Sequence, residues 1–202
     1  MQVPFNDGRA LGAINKLQTH QQLAAAAACC ERLLPNYAAF VAQALWGDPT
    51  PLRAALDAIW DVCARGSSLA IGVEGLADLL AQCERAAPNS DDFPLLDTTL
   101  AQDAVFSICA LLDFLQDHTP ERIAAALRFA TDSIDLFVQE LEDMDPLDPR
   151  RGQRIHEHPL MQQELTRQRR DLHEAGQLVA GDVAGLWTFR QRALAEHSLT
   201  LA

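Results

Sequence analysis

Residues 97–116 read DTTLAQDAVFSICALLDFLQ. At helical spacing, Leu100, Ala104, Val105, Ile108, Leu111, Leu112 and Leu115 make one apolar face, and Phe106, Cys109, Ala110 and Phe114 make a second. A surface helix carries one apolar stripe, whereas a helix apolar on most sides is surrounded by neighbours. The stretch therefore predicts the central helix of an all-α protein, and the rest of the chain has to supply helices that pack around it.

The flanking sequence is punctuated for that purpose. Downstream, Thr119-Pro120-Glu121 has an N-cap residue, a first-turn proline and a first-turn acid, and predicts a helix to about Glu142. Upstream, PNSDDFP at 88–94 is a turn-rich connector in which Phe93 anchors the turn, preceded by a helix over about 73–86 with the stripe Val73, Leu76, Leu80, Cys83 and Ala87. Gly66-Ser67-Ser68 reads as a loop. Thr50-Pro51 opens another helix, with Gly47 as the preceding helix's C-terminal cap. Further upstream, helices are expected over about 9–18 and 19–34. Pro35 then reads as a break, with a third helix from 35 to about 46, because proline lacks an N–H and disfavours helix in the residue before it. Residues 144–154, MDPLDPRRGQR, read as a linker. Beyond it, His158 or Pro159 starts a polar helix with a thin stripe (Met161, Leu165, Leu172), and Asp182 caps a last one. The expectation is a bundle of seven to nine helices forming one domain overall: an acidic body over 1–143 and C-terminal helices over 155–202 docked on it.

Charge sharpens this division. The net charge is −12, but residues from Arg150 onward carry eight basic and six acidic groups, +2, leaving −14 on the preceding 149. A mildly basic tail is expected to fold back on the acidic body, or on the body of a second copy as a homodimer. Nucleic acid, bound through neutralised phosphates, is a poor partner for so acidic a chain. The N-terminus lacks the basic-then-apolar layout of a signal peptide, and the longest apolar run, LAAAAACC at 23–30, falls far short of the ~20 residues that span a bilayer. The expectation is a cytoplasmic protein with no membrane partner.

Few residues read as chemistry. The five cysteines (Cys29, Cys30, Cys63, Cys83, Cys109) are odd in number, form no CxxC and sit in apolar helical context, so packing is expected rather than disulfides or zinc. The acidic run at 140–148 matches no EF-hand spacing and is expected to be answered by Arg150, Arg151 and Arg154. His156-Glu157-His158 lacks the partners of a metal motif; no metal and no cofactor are expected. Asp91 and Asp92 beside Ser90 form a carboxylate pair suited either to acid–base work or to a turn. The sharpest cluster is Glu31-Arg32 before Pro35 and Asn36-Tyr37 after it. Charged and polar residues flanking a helix corner either lock it by hydrogen bonds or face a site, and Glu31 is the expected partner of Arg32.

The combination ACCERLLPNYAAF (28–40), WGDPTPLRAALDAIWD (46–61) and AAPNSDDF (86–93) resembles the YjaG-like family of uncharacterised bacterial proteins, most specifically over about 20–95. The resemblance implies a compact, cytoplasmic, all-helical protein and carries over no catalytic residue. The leading functional expectation is an interaction or regulatory module without catalytic activity, with a protein partner or a second copy. The alternatives are a small-ligand or metal-binding bundle using Glu31, Arg32, Asn36, Tyr37, Asp91 and Asp92, and a carboxylate-dependent hydrolase built on Asp91 and Asp92.

Overall fold

The computed structural model describes residues 7–65 and 72–199; the Gly66-Ser67-Ser68 loop expectation lies outside them. Among the described residues are nine helices and no strand: α1 (Asp7–Ile14), α2 (Thr19–Ala44), α3 (Thr50–Arg65), α4 (Val73–Ala86), α5 (Leu96–Asp117), α6 (Pro120–Leu141), α7 (Arg151–Glu157), α8 (Pro159–Ala175) and α9 (Val183–Leu194). α5 is the expected central helix, one residue longer at each end. By length and composition it is apolar enough to cross a membrane, with a mean hydropathy of 1.4, yet 78% of that window is buried within the fold. Its most extensive neighbours are α2 and α6, with α3 and α4 against it as well. Phe106, assigned to its second apolar face, is instead 40% exposed and pairs with Phe129 of α6.

α2 shares the centre with α5, and here the sequence reading needs correction. There is no helix corner at Pro35: one helix runs from Thr19 to Ala44 with the proline inside it. An interior proline costs about 3 kcal/mol in an exposed helix. Every residue from Gln22 to Leu33 is buried, as are Asn36, Tyr37 and Phe40. Full burial of one large apolar side chain contributes about 1.5–3 kcal/mol, so the leucines, the tyrosine and the phenylalanine together outweigh the break. The proline has no N–H to offer the Glu31 carbonyl. One residue further on, the Arg32 carbonyl accepts from the backbone N–H of Ser198 (3.2 Å), while Ser198 Oγ donates to Asn36 Oδ1 (3.3 Å). The turn around the proline is thus stitched to the C-terminal segment, which Arg167 also holds by donating to the His197 carbonyl (2.9 Å).

Several caps are those expected. The His158 side chain accepts from Leu160 N–H, Asp182 accepts from Gly185 N–H, and Pro120 and Pro159 sit in first turns. The cap of α2 is Leu45 in the left-handed region (φ 52°), not Gly47. Gly47 lies two residues on at φ 99°, and a Cβ there would come within 2.8 Å of the Tyr37 hydroxyl, so glycine is required on both grounds. α1 stops at Ile14, short of Gln18, and α7 starts at Arg151, inside the stretch expected as a linker. In α4, Val73 is exposed and the buried contacts are Leu76, Cys83 and Ala86. In α8 the buried face is largely polar: Glu164, Arg167, Gln168 and Asp171 join Leu160, Met161 and Ala175.

Candidate binding cleft

Glu31 and Arg32 are neighbours in sequence, but on a helix consecutive side chains point about 100° apart. They do not pair, contrary to expectation, and each organises a separate ion network. Arg32 is fully buried. Its Nε donates to Glu164 Oε2 (3.2 Å), Nη2 to Glu164 Oε1 (2.9 Å), and Nη1 to Asp171 Oδ2 (2.7 Å) and to the Ala28 carbonyl (3.2 Å). Gln168 and the Cys29 thiol also donate to Glu164. Glu164, Gln168 and Asp171 lie one turn apart on α8, which presents both carboxylates to one guanidinium. Burial alone pulls the Arg32 pKa down; Glu164 and Asp171 reverse that and hold it well above the ordinary arginine value. Burial pushes the Asp171 carboxyl up against the pull of Arg32. Outward from this centre, Arg192 pairs with Asp171 (2.6 Å) and Glu174, Arg170 pairs with Glu196 (2.7 Å), and Arg167 approaches Glu196 (3.8 Å). Four acids and four arginines cancel within this network.

Glu31 faces the other side of α2. Its carboxylate accepts from Arg53 Nη1 (2.6 Å), Arg53 Nη2 (2.9 Å), the Trp60 indole N–H (2.8 Å) and Arg190 Nε (3.3 Å). Arg190 also pairs with Asp57 and lies 5.6 Å from the centre of the Trp60 ring, and Phe189 meets that ring edge-on at 6.3 Å. Two acids and two arginines cancel here too. Above this floor opens a cleft of about 780 Å³. Leu34, Pro35 and Ala38 of α2 line one side; Pro49 and, on α3, Thr50, Arg53, Ala54 and Asp57 line the other; Leu194 of α9 also borders it. The α3 residues recur at helical spacing, which is why one face of that helix lines the cleft. With four donors on its carboxylate, three of them on Oε1, Glu31 ties α2 to α3 and α9.

The remaining candidates are not gathered there. The Tyr37 hydroxyl donates to the Ala86 carbonyl (2.9 Å) and ties α2 to the end of α4; burial raises its pKa. Asn36 accepts from Ser198, and its Nδ2 has no partner among the described residues. Asp91 and Asp92 are exposed on a turn whose backbone N–H groups are satisfied by Asn89, and neither lines the cleft. Phe93 does anchor that turn, 5.4 Å from Phe40 and 5.3 Å from Trp46. All five cysteines are buried and free; burial pushes the Cys29 thiol up and the Cys30 thiol to about 12, so both are packing residues. Of the acidic run, Asp148 accepts from Arg154 (3.3 Å), one of the three arginines expected to answer it. Among the described residues no group of three or more His, Cys, Asp or Glu could hold a metal ion.

The sequence reading missed Glu164, Asp171, Arg53 and Arg190. The Glu164, Gln168, Asp171 spacing was a signal, since it makes a polar face on a helix whose apolar stripe is too thin to dock it. Also missed was Asp103, an acid in the central helix. It is buried, accepts from Ser133 Oγ of α6 (2.7 Å), and is pushed by burial to about 7.

A family model described as a protein of unknown function (DUF416) matches residues 10–198. The uncharacterized protein YjaG of Escherichia coli (strain K12) is 31% identical over 99 residues, 49% of this chain and 48% of that protein; its counterpart in Salmonella typhimurium is 30% identical over the same span. The match thus spans about half the length of these curated relatives. The crystal structure of a DUF416 family protein from Shewanella baltica superposes with a TM-score of 0.83 over 95% of this chain and 97% of that one, at 22% identity, and so shares its fold. With the family model matching nearly the whole chain, this protein belongs to the DUF416 family.

Proposed function

We propose that the chain is a helical interaction module that binds partners in the cleft between α2 and α3, without catalysis of its own. The observation that carries this reading is the character of the cleft: apolar walls, a floor of mutually paired charges, and an exposed apolar edge on α9. Ala54 is exposed inside the cleft, so Ala54→Trp fills the space without disturbing the core. Helical peptides selected from a random displayed library against the wild-type protein should lose at least tenfold in affinity on Ala54→Trp. Selected binders indifferent to that substitution would refute the cleft as the binding surface. A second reading, a small apolar ligand, draws support from the volume, which falls in the ~300–1,000 Å³ range of ligand pockets. It predicts that a neutral metabolite raises the melting midpoint of the wild type and not of the Ala54→Trp protein.

A further inference from the structure

We infer that the chain has a second docking surface, outside the cleft, on which Trp46 takes an arginine-bearing apolar segment of a partner protein. It lies where the loop after α2 meets the turn before α5. The Phe93 ring stands 5.4 Å from Phe40 and 5.3 Å from Trp46. Phe40 is fully buried, Phe93 half-buried and Trp46 39% exposed, so the aromatic stack opens from the core to the surface. Leu45, Pro94 and Leu95 are exposed within two residues of these rings. Leu45 caps α2 at φ 52°, a left-handed conformation that glycine or asparagine holds at less cost. Its side chain is 89% exposed, so a leucine there adds almost nothing to the core. It presents an apolar side chain beside the indole instead.

The charge at this surface is local and unanswered. Asp48 follows Trp46 by two positions, and Asp91 and Asp92 run directly into Phe93. All three are exposed, and among the described residues none pairs with a cation; Asp48 accepts from the Thr50 backbone N–H (2.9 Å). The stretches that build the surface, 33–52 and 86–121, contain no lysine or arginine. Arg53, just beyond the first, is turned to Glu31 and Asp57, and Arg85, just before the second, adjoins Glu84. The fold shows elsewhere what completes such a set. Arg190 lies 5.6 Å from the centre of the Trp60 ring while it pairs with Glu31 and Asp57. Trp46 has the ring and the neighbouring carboxylates, and among the described residues no cation lies over it. A guanidinium fits this set best, because its flat face stacks on an indole while its edge donates to carboxylates. An apolar neighbour of that arginine then meets Leu45, and tryptophan with arginine is the pairing most enriched where interfaces gain their energy. None of Leu45, Trp46, Asp48, Asp91, Asp92 and Phe93 lines the cleft, so this surface and the cleft are separable.

Three fluorescent peptides of about ten residues, each with a central leucine pair flanked by arginines, lysines or glutamines, test this by anisotropy with the full chain. The arginine peptide should bind at least tenfold more tightly than the glutamine peptide and severalfold more tightly than the lysine peptide. Its affinity should fall at least tenfold on the double substitution Asp91→Asn, Asp92→Asn and severalfold on Leu45→Gly, and stay unchanged on Ala54→Trp. The substituted positions are exposed, and melting curves confirm that each variant folds. Arginine and lysine peptides that bind alike, or arginine binding indifferent to Leu45→Gly and to the double substitution, would reduce the effect to general surface charge and overturn the inference. Equal binding of the glutamine and arginine peptides would overturn the arginine guest. Arginine binding lost on Ala54→Trp alone would place the peptide in the cleft, overturning the inference and upholding the cleft reading. No binding by any of the three would overturn it as well. A wild-type dimer by light scattering that Leu45→Gly or the double substitution dissociates would assign the surface to a second copy and overturn the partner protein.

Discussion

Arg32 is the residue on which the interior turns. A guanidinium in the middle of an apolar helix is tolerable only because two carboxylates and a backbone carbonyl surround it. Removing one partner of a buried ion cluster is far costlier than the cluster's own net contribution, because the remaining charges stay buried without compensation. Arg32→Ala should destabilise the protein by ~3–5 kcal/mol in urea unfolding. Arg32→Lys should also be markedly destabilising, since a single ammonium cannot reproduce the fork that meets Glu164 and Asp171 together. Asp103 makes a separate prediction. Its pKa is raised from an ordinary 3.8 to about 7 in the fold, so the folded state binds its proton more tightly than the unfolded one. The stabilisation is full below about pH 4 and is lost as pH rises through about 7, at on the order of 1 kcal/mol per pH unit in between. Asp103→Asn should abolish that slope in the variant, so that the difference between the stability–pH curves of wild type and variant carries it, measured by chemical denaturation from pH 4 to 8. Parallel curves would show that Asp103 titrates normally.

The elements were legible where punctuation is local. His158 and Asp182 announce helix starts by cap chemistry, and Pro120 by its first-turn place although the Thr119 side chain makes no cap bond, and none of these needs anything beyond a few residues. Pro35 misled because its local cost is real but smaller than the burial on both sides of it, and burial depends on what packs from elsewhere. The candidate site was legible in the same partial way. Glu31 and Arg32 stand out in an alanine-rich helix, but their partners Arg53, Arg190, Glu164 and Asp171 lie 22 to 159 positions away, and no local spacing encodes such pairings. At this scale, Pro35→Ala restores an N–H that can reach the Glu31 carbonyl. It should leave global stability within about 1 kcal/mol, since the regained helical bond is offset by competition with the contact by which Ser198 meets the Arg32 carbonyl. Hydrogen exchange at Ser198 should quicken; unchanged protection there would mean that the C-terminal segment does not depend on the proline turn. Gly47→Ala, by contrast, should cost on the order of 1–3 kcal/mol, from a positive φ and a clash with the Tyr37 hydroxyl.

Across the whole molecule, the basic tail and acidic body divide as the charge count suggested, but the pairing is internal. Arg190 reaches Glu31 and Asp57, and Arg192 reaches Asp171 beside Arg32. The arginines on which self-association was expected are therefore engaged within their own chain, and a homodimer does not follow from them. Arg190→Ala should loosen α9 without unfolding the body, because Arg53 and Trp60 still satisfy Glu31. Limited proteolysis should cut faster between 176 and 183, and a cleavage rate equal to wild type would show that apolar packing by Leu186, Phe189 and Ala193 suffices to hold the helix.

The long reach of the Arg32 network also sets a timetable for biosynthesis. Glu164 and Asp171 follow Arg32 by 132 and 139 residues. At ~5–20 residues per second, a ribosome delivers them on the order of ten seconds after α2. Once α5 is complete at Asp117, 47 residues before Glu164, the most apolar helix pair of the protein, α2 and α5, is already synthesised, and its guanidinium has no counter-ion with which to enter a core. The nascent chain must hold α2 open, or in the keeping of a chaperone, until α8 arrives. A chain stopped after residue 157 should accordingly emerge as a loose, dye-binding globule rather than a smaller version of the native fold.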